Sequence, residues 1–130
     1  MPTSKHSLAI RAPILLLSLA FATSSAAELI DIEWGAAGTF SRTVVVPPAK
    51  FAEVCGALAP GESVRWSFAS DRPLDFNLHY HVAKEVRYPA KRDAVAAFHG
   101  RLDVSERETY CWMWSNRGAS EARLQLTFAR

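Results

Sequence analysis

The chain has 130 residues, with 15 Lys and Arg against 13 Asp and Glu. The basic residues Lys5 and Arg11 both precede Glu28, the first acidic residue, so the chain from Glu28 onward carries equal numbers of both signs. A neutral domain without a block of Lys and Arg has no strong means of binding nucleic acid through release of counterions. The composition therefore excludes nucleic acid as an expected partner.

The first 27 residues have the pattern of a cleavable signal peptide. Lys5 and Arg11 come before an apolar run from Ile14 to Ala22, and small residues follow as far as Ala27. The apolar run is much shorter than the roughly 20 residues that cross a bilayer. We therefore expect cleavage near Ala27, a periplasmic or secreted location, and no membrane span in the mature protein. Residues 28–130 are expected to form a single domain.

The chain after Ala27 is divided at short intervals by Gly, Pro and Asn, and the segments between them are rich in β-branched and aromatic residues. This pattern predicts an all-β fold, which we interpret as a single antiparallel β-sandwich, jelly-roll-like, with one disulfide. Residues Lys91–Phe98 are predicted to form a loop or a short helix. The predicted strands are Leu29–Trp34, Phe40–Val46, Phe51–Leu58, Glu62–Ala69, Leu74–Val82, Glu85–Tyr88, Gly100–Val104, Thr109–Asn116 and Ala122–Ala129.

Alternation along these strands indicates which side chains face the core. Side chains at alternate positions of a strand lie on the same face of the sheet. The predicted inward set is Val64, Trp66, Phe68, Phe76, Leu78, Tyr80, Val82, Tyr110, Trp112, Trp114, Leu124, Leu126 and Phe128. The same period places Asn77, His79 and His81 on the opposite face, and also Cys111 and Met113.

The chain contains two cysteines, Cys55 and Cys111. In an oxidising compartment such a pair is most simply a disulfide. Because the loop between them is long, chain entropy predicts about 4 kcal/mol of stabilisation. The alternative is a pair of free thiols that ligate a soft metal, although oxidants of the periplasm would attack them.

The order of these motifs resembles the Golgi-dynamics domain of the emp24/p24 proteins. The segments that carry the resemblance are a cysteine before a strand, then Leu58–Phe68, Pro73–Tyr80 and Tyr110–Asn116, followed by a last apolar strand. The likeness spans about Phe51 to Arg130 and implies a compact β-sandwich that binds a protein or a ligand.

The same resemblance implies a bridge between a cysteine near the first of these strands and one in the late aromatic strand. Cys111 lies two places earlier than that pattern has it, which is one strand period, so its side chain points to the same face. The chain shows no membrane span or coiled coil of the kind that p24 proteins carry, so a role in cargo transport is not implied.

The residues that carry the most specific chemistry are His79 and His81. Alternate positions on a strand bring two imidazoles close enough to share a metal ion, and Met113 or His99 is a candidate third ligand. Imidazole together with thioether sulfur favours copper. The alternative is a solvated sheet face on which Asn77, His79 and His81 contact a ligand or a partner.

Sequence patterns of enzymes are missing from the chain. Asp71 and Asp75 flank Pro73 in a segment that is more typical of a turn than of a catalytic pair of carboxylates. The sequence contains no nucleophile elbow, phosphate-binding loop or zinc-hydrolase helix. We therefore predict a non-catalytic binding protein of the cell envelope, with an envelope protein or a small ligand as its partner and with no cofactor. A periplasmic copper-binding protein and a structural subunit of an envelope complex are the alternatives.

Overall fold

The computed structural model describes residues 27–130, so all but the last residue of the predicted signal peptide lies outside the described residues. The regular structure of this part consists of strands, and it contains no helix long and apolar enough to cross a membrane. The strands are β1 (Glu28–Asp31), β2 (Thr39–Val46), β3 (Phe51–Leu58), β4 (Ser63–Val82), β5 (Glu85–Asp103), β6 (Glu108–Ser115) and β7 (Ala122–Ala129). The predictions of an all-β fold and of one disulfide are confirmed.

The strands form a single sheet in the order β1-β3-β6-β4-β7-β2, with β5 paired to β4 outside this path. The long strand β4 connects two parts of the sheet. Its first half pairs with β7 from Arg65 to Ser70, and its second half pairs with β6 from Asp75 to Tyr80. On its other side β4 pairs with β5 from Ser63 to Val82, so β4 and β5 form one hairpin that runs through both parts.

This continuity corrects two expectations from the sequence. The segments 62–69 and 74–82 were predicted as separate strands, but they belong to one 20-residue strand that bends at 70–73. The expectation of a loop or short helix at Lys91–Phe98 is wrong, because this segment is the middle of the 19-residue strand β5. The β4–β5 pairing shifts in register where the hairpin bends. Ala94 takes a φ of 50° at one of these register shifts.

The structure also differs from the predicted antiparallel sandwich in two ways. Strands β1 and β3 pair in parallel, whereas the other pairs are antiparallel. In addition, the sheet is continuous and curls around its core in a nearly closed, barrel-like form, because the β4–β5 hairpin passes from one part to the other.

The core lies inside the curled sheet and is dominated by aromatic side chains. Trp112 and Trp114 have no exposed surface, and the Trp66 ring packs against Phe76 with ring centroids 4.9 Å apart. Nearly all of the side chains that alternation placed inside are buried, although Tyr80 and Val82 are only partly so. Burial of these large rings is the main source of stability in so small a domain.

The disulfide joins Cys55 of β3 to Cys111 of β6, which lie directly opposite each other with Cα atoms 4.2 Å apart. The bond closes a loop with a sequence separation of 56 residues. It lies on the outer surface of the sheet, since the neighbouring side chains Trp112 and Val54 point into the core. The predicted pairing is confirmed.

Candidate binding face

The outer face of β3, β6 and β4 carries a group of polar side chains around the disulfide. His79 lies opposite Cys111, which lies opposite Cys55, so the three residues form one row across three strands. In the neighbouring row Asn77 and Glu53 both lie opposite Met113. We call Glu53, Asn77, His79 and the Cys55–Cys111 disulfide the His79 cluster.

Contacts within the His79 cluster fix the orientation of the imidazole. Nδ1 of His79 lies 2.7 Å from Oδ1 of Asn77, and Nε2 lies 3.4 Å from Oε1 of Glu53. An amide oxygen only accepts hydrogen bonds, so Nδ1 carries the hydrogen and donates a hydrogen bond to Oδ1 of Asn77. In the neutral imidazole, Nε2 therefore presents its lone pair to the carboxylate.

Burial governs the protonation of this histidine. The His79 side chain is only 11% exposed, and loss of solvent lowers its pKa from the ordinary value of 6.5. The carboxylate of Glu53 raises the pKa of His79 and so opposes part of this effect, whereas the neighbouring His81 lowers the pKa further. The imidazole is therefore predominantly neutral at pH 7.

Beside the His79 cluster, the end of the β4–β5 hairpin exposes apolar surface. Val86 is 40% exposed and lies opposite His81, and Tyr88 is 55% exposed with its ring centroid 6.1 Å from that of His79. The register shift between Leu78 and Tyr80 adds a residue to β5 here, so that Tyr88 and Pro89 both face His79. We call His81, Val86 and Tyr88 the hairpin patch.

The fold is similar to that of a bacterial lysozyme inhibitor. That protein is PliG of Aeromonas hydrophila, a periplasmic inhibitor of g-type lysozyme, which superposes with a TM-score of 0.57 at 8% sequence identity. The match covers 80% of this chain and 96% of the PliG chain. PliG of Salmonella Typhimurium, also a periplasmic inhibitor of g-type lysozyme, matches with a TM-score of 0.54 at 6% identity, over 78% of this chain and 96% of its own.

A third structure of similar fold is the pre-peptidase C-terminal domain of a collagenase from Bacillus anthracis. It has a TM-score of 0.55 and 10% identity, over 78% of this chain and 97% of that domain. No family model and no curated protein sequence matches the chain. At these identities the comparisons establish the fold, and the function has to be argued from the site.

The structure brings most of the predicted site residues together. Asn77, His79 and His81 share the outer face with Met113, and the rings of His79 and His81 are 5.4 Å apart between centroids. His99 lies elsewhere, opposite Ser67 in the first half of β4. There it lines a separate cleft of about 510 Å³ together with Arg65, Arg101 and Thr127.

Sequence reasoning missed Glu53, Val86 and Tyr88. Glu53 precedes Cys55 by two positions in one strand, so alternation alone would have placed both side chains on one face. The position of Tyr88 depends on the extra residue in β5, for which the sequence offers only Pro89 as a signal.

Proposed function

We propose that the chain is an exported, non-catalytic binding protein of the cell envelope, and that it binds a protein partner through the hairpin patch. The observation that carries the proposal is the exposure of Val86 and Tyr88 beside two imidazoles on a sheet held by a disulfide. Apolar side chains exposed together beside polar groups are typical of protein interfaces, and tyrosine is among the residues that contribute most to binding.

The chemistry around the patch favours contact through the face of the sheet. The outer edge of β5 has no neighbouring strand among the described residues, but Pro89 and the charged side chains of Arg87 and Lys91 discourage the addition of another strand. The ammonium group of Lys91 lies 5.8 Å from the centre of the Tyr88 ring and provides a polar border. A partner would therefore cover Tyr88 from above rather than extend the sheet.

The comparisons support a protein as the partner, since both PliG proteins are described as inhibitors of an enzyme, g-type lysozyme. They also support a periplasmic location for this chain, in agreement with the predicted signal peptide. An enzyme that degrades the cell wall is thus the first candidate for the partner. The resemblance to the Golgi-dynamics domain stays a prediction, and it too implies a binding domain.

The partner can be trapped at the patch in living cells. We would express the full chain with a photoreactive phenylalanine analogue in place of Tyr88, and a matched chain with the analogue in place of Leu29, which is 72% exposed on β1. The proposal predicts a discrete protein adduct from position 88 and none of the same mass from position 29. Absence of an adduct at position 88, or the same adduct at both positions, would contradict it.

Copper binding by His79 and His81 is a second candidate, favoured by the proximity of the two rings. Titration of the oxidised protein with Cu(I) and Cu(II) against a competing chelator tests it. The copper hypothesis requires binding tighter than micromolar that is lost in a His79→Ala/His81→Ala double variant. Weaker binding, or binding that the double variant retains, would reject this hypothesis without affecting the proposed protein interface.

A further inference from the structure

We propose that reduction of the Cys55–Cys111 disulfide opens a zinc site made of Cys111, His79, Glu53 and Cys55. The site goes beyond the proposed function, because the oxidised protein would bind its partner without metal. It also differs from the copper candidate, since it uses neither His81 nor Met113.

Ligand atoms from three strands converge beside the disulfide. Glu53, His79 and Cys111 each offer one ligand atom, and these atoms all lie within 4.8 Å of one another. Oε1 of Glu53 is also 3.5 Å from Sγ of Cys55. Thiolate, imidazole and carboxylate are the ligands that zinc takes in proteins, and four of them complete its tetrahedral shell.

The imidazole of His79 is held in an orientation that suits a metal ligand. The hydrogen bond from Nδ1 to Asn77 leaves Nε2 free to ligate and directs it towards Glu53. Such a bond to the other ring nitrogen is the usual way in which proteins orient a histidine ligand. In the neutral state two acceptors, Nε2 and Oε1, face each other at 3.4 Å, and a cation between them would remove the repulsion.

The sheet holds these residues in place without the disulfide. Cys55 and Cys111 lie within a ladder of eight paired residues between β3 and β6, and His79 lies within the ladder of six between β6 and β4. Loss of the S–S bond therefore removes one link from a region that backbone hydrogen bonds and the Trp112 side of the core still hold together.

The chemistry requires a dithiol reductant. The reductant gives two electrons and two protons to the disulfide, so that the S–S bond breaks, Cys55 and Cys111 become thiols, and the reductant becomes a disulfide itself. Each thiol then releases its proton to water as its sulfur binds Zn²⁺. In the oxidised protein this site offers only His79 and Glu53 as strong ligands, so we expect it to bind zinc weakly.

The test is a zinc titration of the full-length mature protein against a competing chelator, in the oxidised state and after reduction with a phosphine. We expect one zinc per chain in the reduced state and at least about a 10-fold weaker affinity in the oxidised state, since loss of even an outer partner of a zinc ligand costs roughly 10-fold to 100-fold. Cobalt in place of zinc should give the absorption bands of a tetrahedral site with thiolate ligands.

One variant guards against loss of the fold on reduction, and two histidine variants test the ligand. Cys55→Ser keeps Cys111, His79 and Glu53 and cannot form the intramolecular disulfide, so it should bind zinc without a reduction step. In the reduced background His79→Ala should weaken zinc binding at least about 10-fold, whereas His99→Ala, opposite Ser67 in the first half of β4, should leave it unchanged. Near-ultraviolet circular dichroism reports the fold throughout.

The proposal is overturned if neither the reduced protein nor Cys55→Ser binds zinc, whether folded or unfolded. Binding that His79→Ala leaves unchanged would overturn it as well. Because the partner is tested with the oxidised protein, either result would leave the proposed hairpin interface standing.

Discussion

Nε2 of His79 lies 3.4 Å from Oε1 of Glu53, although the two residues belong to strands that do not pair with each other. Strands β4 and β3 lie on opposite sides of β6, and the two side chains meet above the disulfide that β6 carries. The outer face of the sheet therefore contains a buried imidazole, with only 11% of the side chain exposed, rather than a fully solvated polar surface.

This contact gives a direct prediction for the Glu53→Gln variant. In the oxidised, metal-free protein the carboxylate of Glu53 raises the pKa of His79, in opposition to the burial that lowers it. Removal of the charge should therefore lower the pKa of His79 further. Titration of the imidazole signals by nuclear magnetic resonance measures this, with Glu108→Gln as the control. An unchanged or higher pKa in Glu53→Gln would contradict the contact.

Asp75 should make stability depend on acid pH. The backbone amide of Ala94 donates a hydrogen bond of 2.9 Å to Asp75, and together with Arg117 it holds the pKa of the carboxyl below its ordinary value of 3.8. A lowered pKa stabilises the fold above pH 3.8, and this stabilisation is lost as the pH falls through the pKa of the folded state.

We therefore expect Asp75→Asn to lower the free energy of unfolding at pH 7 by about 1 kcal/mol. The difference from the parent protein should shrink as the carboxylate of the parent becomes protonated. Urea unfolding at a series of pH values measures this, and Asp103→Asn, in an exposed pair with Arg101, is the control. A difference that stays constant across the whole pH range would be inconsistent with the assignment.

Gly100 is required by the packing of Trp66. A Cβ atom added at Gly100 would overlap Cζ2 of the indole ring and lie 2.8 Å from its Cε2. The ring also packs against Phe76 and Phe98, with ring centroids 4.9 and 5.3 Å away, so it has little room to move. We expect Gly100→Ala to lower the free energy of unfolding by about 1–3 kcal/mol.

The neighbouring exposed residue provides the control for this substitution. His99→Ala should change the free energy of unfolding by less than about 0.5 kcal/mol. Urea denaturation followed by tryptophan fluorescence measures both variants. Equal stability of Gly100→Ala and the parent protein would show that the ring moves freely.

Asn116 ties together the loops at one end of the sheet. Its buried side chain donates hydrogen bonds to the carbonyl oxygens of Val46 and Ser120 at 2.9 and 2.8 Å, and it accepts one from the amide of Gly118. Asn116→Ala leaves these groups without partners and should cost about 2–3 kcal/mol. Ser120→Ala, which keeps the carbonyl, is the control. Thermal unfolding measures both, and equal melting temperatures would disprove the role of Asn116.

Alternation and cysteine pairing predicted the parts of the fold that depend on short-range pattern. The inward side chains of Trp66 and Trp112 follow from the period of a strand, and the Cys55–Cys111 bridge follows from the number of cysteines in an exported chain. The continuity of β4 across Pro73 could not be predicted, because Asp-Arg-Pro is typical of a turn and only the pairing with β5 turns it into a bend.

In the candidate site, too, the sequence predicted only the residues that depend on short-range pattern. His79 and His81 were found because they are two residues apart on one strand. Glu53 and Tyr88 reach His79 from two other strands. The strand pairings have no local signature, and Pro89 is the one sequence signal of the inserted residue. Burial of His79 likewise depends on which side chains cover it, and alternation specifies only its face.

The most direct measurement for the account as a whole is the affinity of the oxidised protein for the partner trapped at position 88. The account predicts that a Val86→Ser/Tyr88→Ala double variant binds this partner roughly 30-fold more weakly, because a central interface tyrosine contributes about 2 kcal/mol. The control variant Leu29→Ser should bind like the parent protein. If the double variant bound as tightly as the parent while remaining folded, the hairpin patch would not be the binding surface.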